Sequence, residues 1–120
     1  MTLAVCLVSG GLDSCVAAGE AAGRGLEPAF LHADYGQRTE VREREAFRRI
    51  ADHYEVEHRL VASLDYLREI GGSALTDGSI DLPEGDPDRT EIPVSYVPFR
   101  NAAMLAVAVS WAEVLRARYI

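Results

Sequence analysis

The sequence predicts an α/β fold built on a parallel sheet, and three observations carry that expectation. Short apolar or β-branched runs recur at Leu3 to Val8, Glu27 to Ala33 and Val56 to Val61. Each of the first two ends in a glycine-containing turn and is followed by a stretch with helical character. The first run is continuously apolar rather than alternating, as in strands covered on both faces. The β–α–β–α–β order calls for parallel strands joined by right-handed crossovers, with ligands bound outside the carboxyl ends of the strands.

Taken in order, Leu3 to Val8 is the first strand and gives way to Ser9-Gly10-Gly11-Leu12-Asp13-Ser14. Cys15 to Gly23 is alanine-rich and reads as a short helix stopped by Arg24-Gly25. A second strand over Glu27 to Ala33 ends in the turn Asp34-Tyr35-Gly36-Gln37-Arg38. A charged helix follows from about Thr39 to Tyr54, with Phe47, Ile50, Ala51 and Tyr54 as its buried stripe and mixed charges on a solvated face. The third strand, Val56 to Val61, alternates, and Ser63 to Ile70 reads as a short helix. Residues 71–95 are rich in proline and glycine and read as an irregular insertion, a kind of segment that is often functional in a compact domain. Pro98 precedes a last helix, about Arg100 to Arg116, apolar enough to be buried on most sides. Arg118-Tyr119-Ile120 has the look of the opening of a fourth strand.

A chain of 120 residues with 48% hydrophobic and 26% charged residues suits one domain spanning 1–120. Twelve Lys+Arg against nineteen Asp+Glu give a net charge of −7, which argues against a broad nucleic-acid or membrane-surface footprint. Two cysteines, Cys6 and Cys15, form neither a disulfide framework nor a four-cysteine metal site. No run approaches the ~20 apolar residues of a membrane span. The first residues lack the basic segment of a secretory signal. The expectation is a cytoplasmic protein with no membrane or nucleic-acid partner.

The hexapeptide Ser9 to Ser14 carries the strongest chemical signal. Two glycines allow a sharp turn and bring backbone amides close to an anion. The helix that follows offers unpaired N–H groups and positive potential, and Asp13 or Ser14 can cap it. Hydroxyls of Ser9 and Ser14 add donors. The pattern suits a phosphate or pyrophosphate, although the Gly-Lys-Ser/Thr ending of a P-loop and the dinucleotide fingerprint are both missing. A structural turn with an ordinary cap is the plain alternative. Cys6 and Cys15 read as small core residues, His53 and His58 as surface residues, and Trp111 and Tyr119 as packing residues.

Ser-Gly-Gly-Leu-Asp-Ser matches the pyrophosphate loop of the N-type ATP pyrophosphatases. Tyr35-Gly36-Gln37-Arg38 narrows the match, because it resembles the Tyr-Gly-Gln-Arg motif of the 7-cyano-7-deazaguanine synthase (QueC) family. Gly72-Ser73-Ala74-Leu75-Thr76 is similar to that family's Ser-Ala-Leu-Thr stretch, and Val97-Pro98-Phe99-Arg100-Asn101 to its Val-Pro-x-Arg-Asn. Four pieces in family order span Ser9 to Asn101. The chain departs from the pattern at Thr39 and Arg42, where the family usually has histidine and glutamate.

The resemblance implies a Rossmann-like parallel sheet of the adenine nucleotide alpha-hydrolase type, strand order 3-2-1-4, cut here after the helix that precedes strand four. It implies ATP and Mg²⁺ as cofactors, and a zinc cluster whose ligands this chain lacks, so no metal ligands are assigned. The reaction implied converts 7-carboxy-7-deazaguanine and ammonia to the 7-nitrile, in queuosine biosynthesis. Nucleotide contacts are expected from Val8, Ser9, Gly10, Gly11, Leu12, Asp13, Ser14, Cys15, Val16, Ala17, Ala18 and His32. Asp13, Arg38, Arg100 and Asn101 are the expected catalytic residues, the guanidinium groups pairing with phosphate or carboxylate. Asp13 and Asp34 are candidates to hold Mg²⁺ with the phosphates. Small-molecule substrates are expected, with a homodimer or a missing carboxyl-terminal half as the protein partner. Catalytic incompetence of the chain alone is a further expectation. Another ligase or tRNA-modifying enzyme of the same superfamily, or a non-catalytic nucleotide-binding fragment, are the alternatives.

Overall fold

The computed structural model describes residues 1–76 and 96–120. Three parallel strands, β1 (Leu3–Leu7), β2 (Glu27–Asp34) and β3 (Arg59–Ser63), form one sheet in the order β1-β2-β3. Leu3 pairs with Glu27 and Leu7 with Leu31, while Phe30 pairs with Arg59 and Asp34 with Ser63. The helices are α1 (Leu12–Gly23), α2 (Glu40–His53), α3 (Tyr66–Ile70) and α4 (Arg100–Leu115). Beyond α4 the chain returns to the outer edge of β1. There Tyr119 bridges Ala4 in parallel, through Val5 N–H to Tyr119 O at 2.9 Å and Arg118 N–H to Leu3 O at 3.0 Å. The α/β class and the placement of Arg118–Ile120 beside the first strand are as the sequence predicts.

Alternation along β1 and β2 sorts their side chains to two faces. On one, Val8 and Phe30 pack against Ala18 of α1 and Phe47 and Ala51 of α2, with Val56 closing the cluster. On the other, Val5, Ala29 and Leu31 pack against Ala108 and Ala112 of α4. Small residues at Ala18, Ala51, Ala108 and Ala112 let each helix lie close to the sheet. A third cluster of Leu64, Leu67 and Val97 seats α3 and the entry to α4.

Several sequence boundaries move. Helix α1 starts at Leu12 rather than Cys15, so Asp13 and Ser14 lie inside its first turn. Gly11 is the N-cap and no side chain caps the helix. The third strand is displaced from Val56–Val61 to Arg59–Ser63, because Val56 belongs to the end of α2. Its N–H returns to Ala51 O at 3.0 Å, across Glu55 at φ 52°. Arg59 then fixes the turn through Val56 O at 2.7 Å and Asp52 at 2.6 Å. Helix α4 buries one face only: Leu105, Val109 and Val114 are exposed, since the sheet covers a single side. Of the irregular segment 71–95, residues 77–95 lie outside the described residues. Residues 71–76 form turns that place Ser73, Ala74 and Thr76 in the interior.

Candidate functional site

The site grows from the way β1 ends. Val8 leaves the sheet with its N–H on Leu31 O at 2.8 Å, and the chain turns at Gly10, where φ is +94°. A side chain is strained there, and space is short as well. A Cβ on Gly10 would lie 3.0 Å from both Ala46 Cβ and Glu43 O, so the loop presses directly on α2. The loop then bonds to itself. Ser9 N–H donates to Ser14 Oγ at 3.1 Å, Gly11 N–H to Ser9 Oγ at 3.2 Å, and Ser14 Oγ to Gly11 O at 3.2 Å. Two hydroxyls 3.1 Å apart thus sit at the amino end of α1, whose first N–H groups lack helical acceptors.

Four positions of the loop region, Val8, Ser9, Asp13 and Ser14, line a cavity of about 610 Å³ at the carboxyl ends of β1 and β2. Its opposite wall comes from the start of α4, through Arg100, Asn101 and Met104, and from Tyr35 and Glu43. The Arg100 guanidinium is held over Tyr35, with Nη1 donating to the phenolic oxygen at 3.2 Å and Cζ 5.4 Å from the ring centroid. Tyr35 is set in turn by Gln37, whose Oε1 accepts from Tyr35 N–H at 2.8 Å and whose Nε2 donates to Glu43 at 2.7 Å. Thr39 Oγ1 donates to the other Glu43 oxygen at 2.8 Å. The turn motif therefore builds the cavity wall from behind.

The structure brings together Val8, Ser9, Asp13, Ser14, Arg100 and Asn101 from the sequence expectations. Gly10 and Gly11 shape the turn. Other expected contacts are elsewhere. Leu12 and Val16 point to solvent, Ala18 is buried beneath α1, and Ala17 faces a separate groove, so helix geometry keeps these four positions out of the cavity. Cys15 is half-buried and does not line the cavity. Arg38 is exposed outside it, and its N–H donates to Leu75 O at 3.0 Å, tying the turn to residues 71–76.

His32 lies behind the loop rather than in the cavity. It is 1% exposed, stacked 5.2 Å from Phe47, and its Nδ1 is 2.8 Å from Val8 O. A carbonyl only accepts, so Nδ1 donates. Nε2 lies 3.2 Å from Asp34 Oδ1 without the alignment of a hydrogen bond. The other Asp34 oxygen receives Arg44 through Nη2 at 2.7 Å and Nε at 2.9 Å, and Arg44 also reaches Glu40 at 2.8 Å. Asp34 is thus held by Arg44 through one oxygen, and it does not line the cavity. Arg44 and Glu43 also correct the reading of α2's charges as a solvated face.

Sequence reasoning missed Tyr35 and Glu43 as cavity residues. Tyr35 stood in a motif read mainly for its arginine. Glu43 is four residues after Thr39, the helical spacing at which side chains meet, which is the one signal that could have found it. Among the described residues no three His, Cys, Asp or Glu side chains gather as a metal site. Asp13 fits the way Mg²⁺ is usually held, by one or two carboxylates together with phosphate oxygens. No helix among the described residues is long and apolar enough to cross a membrane.

Fold and site together define a parallel α/β domain with a cavity at its strand ends, lined by a glycine turn and the amino end of a helix. A family model described as queuosine biosynthesis protein QueC matches residues 3–120, and the chain belongs to that family. It is 52% identical over 117 residues to a 7-cyano-7-deazaguanine synthase of Chlorobium phaeobacteroides (strain BS1), covering 98% of this chain and 52% of the relative. It is 54% identical over 117 residues to the synthase of that name from strain DSM 266 of the same species, with the same coverage. Against the synthase of Chloroherpeton thalassium it is 53% identical over 117 residues, again covering 98% and 52%. The chain spans about half the length of these curated relatives.

Proposed function

We propose that this chain carries the ATP-binding half of a 7-cyano-7-deazaguanine synthase, which activates 7-carboxy-7-deazaguanine by adenylation. The observation that supports it is the cavity in which Ser9, Asp13 and Ser14 face Arg100 and Asn101. A carboxylate is a poor acyl donor because oxide would have to leave. Its oxygen attacks the α-phosphorus of ATP, the bond to the bridging oxygen breaks, and pyrophosphate departs. Ammonia displaces AMP from the acyl carbon and, after losing a proton, leaves the primary amide. The amide oxygen then attacks the α-phosphorus of a second ATP with release of a second pyrophosphate, and loss of AMP and the two amide protons gives the nitrile.

The residues meet two demands. Negative charge grows on the departing pyrophosphate; the amino end of α1 offers N–H donors fixed before it arrives, and the Ser9 and Ser14 hydroxyls can turn from their contacts within the loop to donate as well. The carboxylate and phosphorus must also be held close and aligned. Arg100, anchored on Tyr35, neutralises the approaching anions, and Asn101 offers an amide to either partner. Mg²⁺, bound with the phosphates at Asp13, would add charge neutralisation. No side chain of the cavity is needed as a covalent nucleophile. Another ligase of the superfamily would share the first adenylation, and identification of the product separates the two.

Amide NMR mapping with ATP–Mg²⁺ tests the binding step. The largest shifts are expected at Ser9 to Cys15 and at Arg100 and Asn101. Saturable binding that leaves those amides unmoved overturns the assignment.

A further inference from the structure

A second cavity, of about 500 Å³, lies against the first and shares Arg100 and Asn101 with it. Its remaining lining among the described residues is Leu75, Tyr96, Val97, Phe99 and Ala102. A groove of about 700 Å³ between α1 and the end of the chain shares, among the described residues, only the apolar Leu7 with the first cavity. Acyl activation requires the acceptor's carboxylate to touch the α-phosphorus while its ring lies outside the nucleotide's volume. A cavity that meets the phosphate cavity at a guanidinium and an amide satisfies that demand, and the apolar groove does not.

The second cavity has the chemistry of a planar ring site. Tyr96 is 47% exposed within it, and its hydroxyl accepts Phe99 N–H at 3.2 Å, which fixes the ring's position. Phe99 stands at φ 56°, a backbone state costly for a bulky residue, and it is 77% exposed, so no core packing explains the strain. The outcome of that bend is geometric. It turns the chain so that Arg100 and Asn101 open α4 between the two cavities while Tyr96 flanks the second. Leu75 and Val97 supply apolar walls.

We infer that the cavity lined by Tyr96, Leu75 and Val97 is the acceptor site, taking a planar heteroaromatic carboxylate with its ring on Tyr96 and its carboxylate toward Arg100. The inference rests on the adenylation reading above and assigns the place of the second reactant. Stacking on an aromatic side chain is sequence-tolerant and substantial for purine-like rings. The Asn101 Nδ2 offers a donor to the polar edge of such a ring, while its Oδ1 accepts Arg100 Nε at 3.4 Å.

The test is calorimetric titration of 7-carboxy-7-deazaguanine into the chain, with Mg²⁺ and α,β-methylene-ATP present so that pyrophosphate cannot leave. Tyr96→Ala is expected to weaken acceptor binding about tenfold or more, with affinity for the nucleotide within about twofold of the parent. Tyr96→Phe keeps the ring and is expected to restore acceptor affinity to within about threefold. Acceptor binding that is unchanged in Tyr96→Ala overturns the site while leaving the nucleotide reading intact. So does an unaltered chain that binds nucleotide but no acceptor. Failure of the unaltered chain to bind the nucleotide overturns the adenylation reading itself.

Discussion

Tyr35 holds Arg100 in two ways at once, through a 3.2 Å hydrogen bond from Nη1 to its hydroxyl and through the face of its ring 5.4 Å from Cζ. The pair joins the end of β2 to the start of α4 beside the cavity that Ser9, Asp13 and Ser14 line. Removing the hydroxyl in Tyr35→Phe deletes one charge-assisted bond at a partly exposed site, worth about 1 kcal/mol. ATP–Mg²⁺ affinity is expected to fall roughly fivefold. Tyr35→Ala also removes the ring and is expected to cost about tenfold or more. Calorimetry on the two variants checks the order, and equal affinities for both and the parent would contradict a positioning role.

His32 supports the loop from beneath. Its Nδ1 is the partner of Val8 O, the last carbonyl before Ser9. His32→Leu keeps the volume near Phe47 but leaves that carbonyl unpaired, at an expected cost of about 1–3 kcal/mol. Urea unfolding measures the loss, and ATP binding should weaken with it because the turn loses its anchor. A variant as stable as the parent would show that Val8 O finds another donor.

The two loop glycines are not equivalent. Gly10→Ala meets both a positive φ and contacts at 3.0 Å with α2, so it is expected to destabilise by more than about 1 kcal/mol. Gly11 has φ −84°, and a Cβ there meets only Ser9 Oγ at 3.4 Å. Gly11→Ala should therefore stay close to parental stability. Thermal melts of the two variants decide this, and equal losses would contradict the asymmetry.

Burial pushes the Cys6 thiol up from its ordinary value. In the pH range above the unfolded thiol's pKa, the folded state keeps a proton that the unfolded state releases. Stability from this group is complete below that range and falls as pH rises through it. Cys6→Ala should flatten the decline between about pH 8 and 10. An unchanged slope in denaturant titrations across that range would remove Cys6 as its source.

Much of the fold was legible because its signals are local. The apolar run at Leu3, the loop glycines and the Phe47–Ala51 spacing each specify one element, and each element formed. The displaced third strand was not legible in the same way: Val56 fits an alternating strand, but Ala51 O and Arg59 claim it for the end of α2. The site divided along the same line. Ser9, Asp13 and Ser14 are contiguous, and their turn could be read directly. Arg100 and Asn101 joined them on the strength of a motif resemblance. Glu43 and Tyr35 enter through side-chain contacts across elements, and His32 and Asp34 lie outside the cavity, His32 on Val8 O and Asp34 on Arg44. Only the packed chain shows either.

The central claim is that the Ser9–Ser14 turn and the start of α4 grip the phosphates of ATP together. Calorimetric titration of ATP–Mg²⁺ into the parent, Ser14→Ala, Arg100→Ala and the double variant tests it most directly, with circular dichroism confirming each fold. Each single change is expected to weaken binding by about 1–2 kcal/mol, roughly fivefold to thirtyfold. The double variant should approach loss of measurable binding. Parental affinity in either folded single variant would place the nucleotide elsewhere and contradict the account.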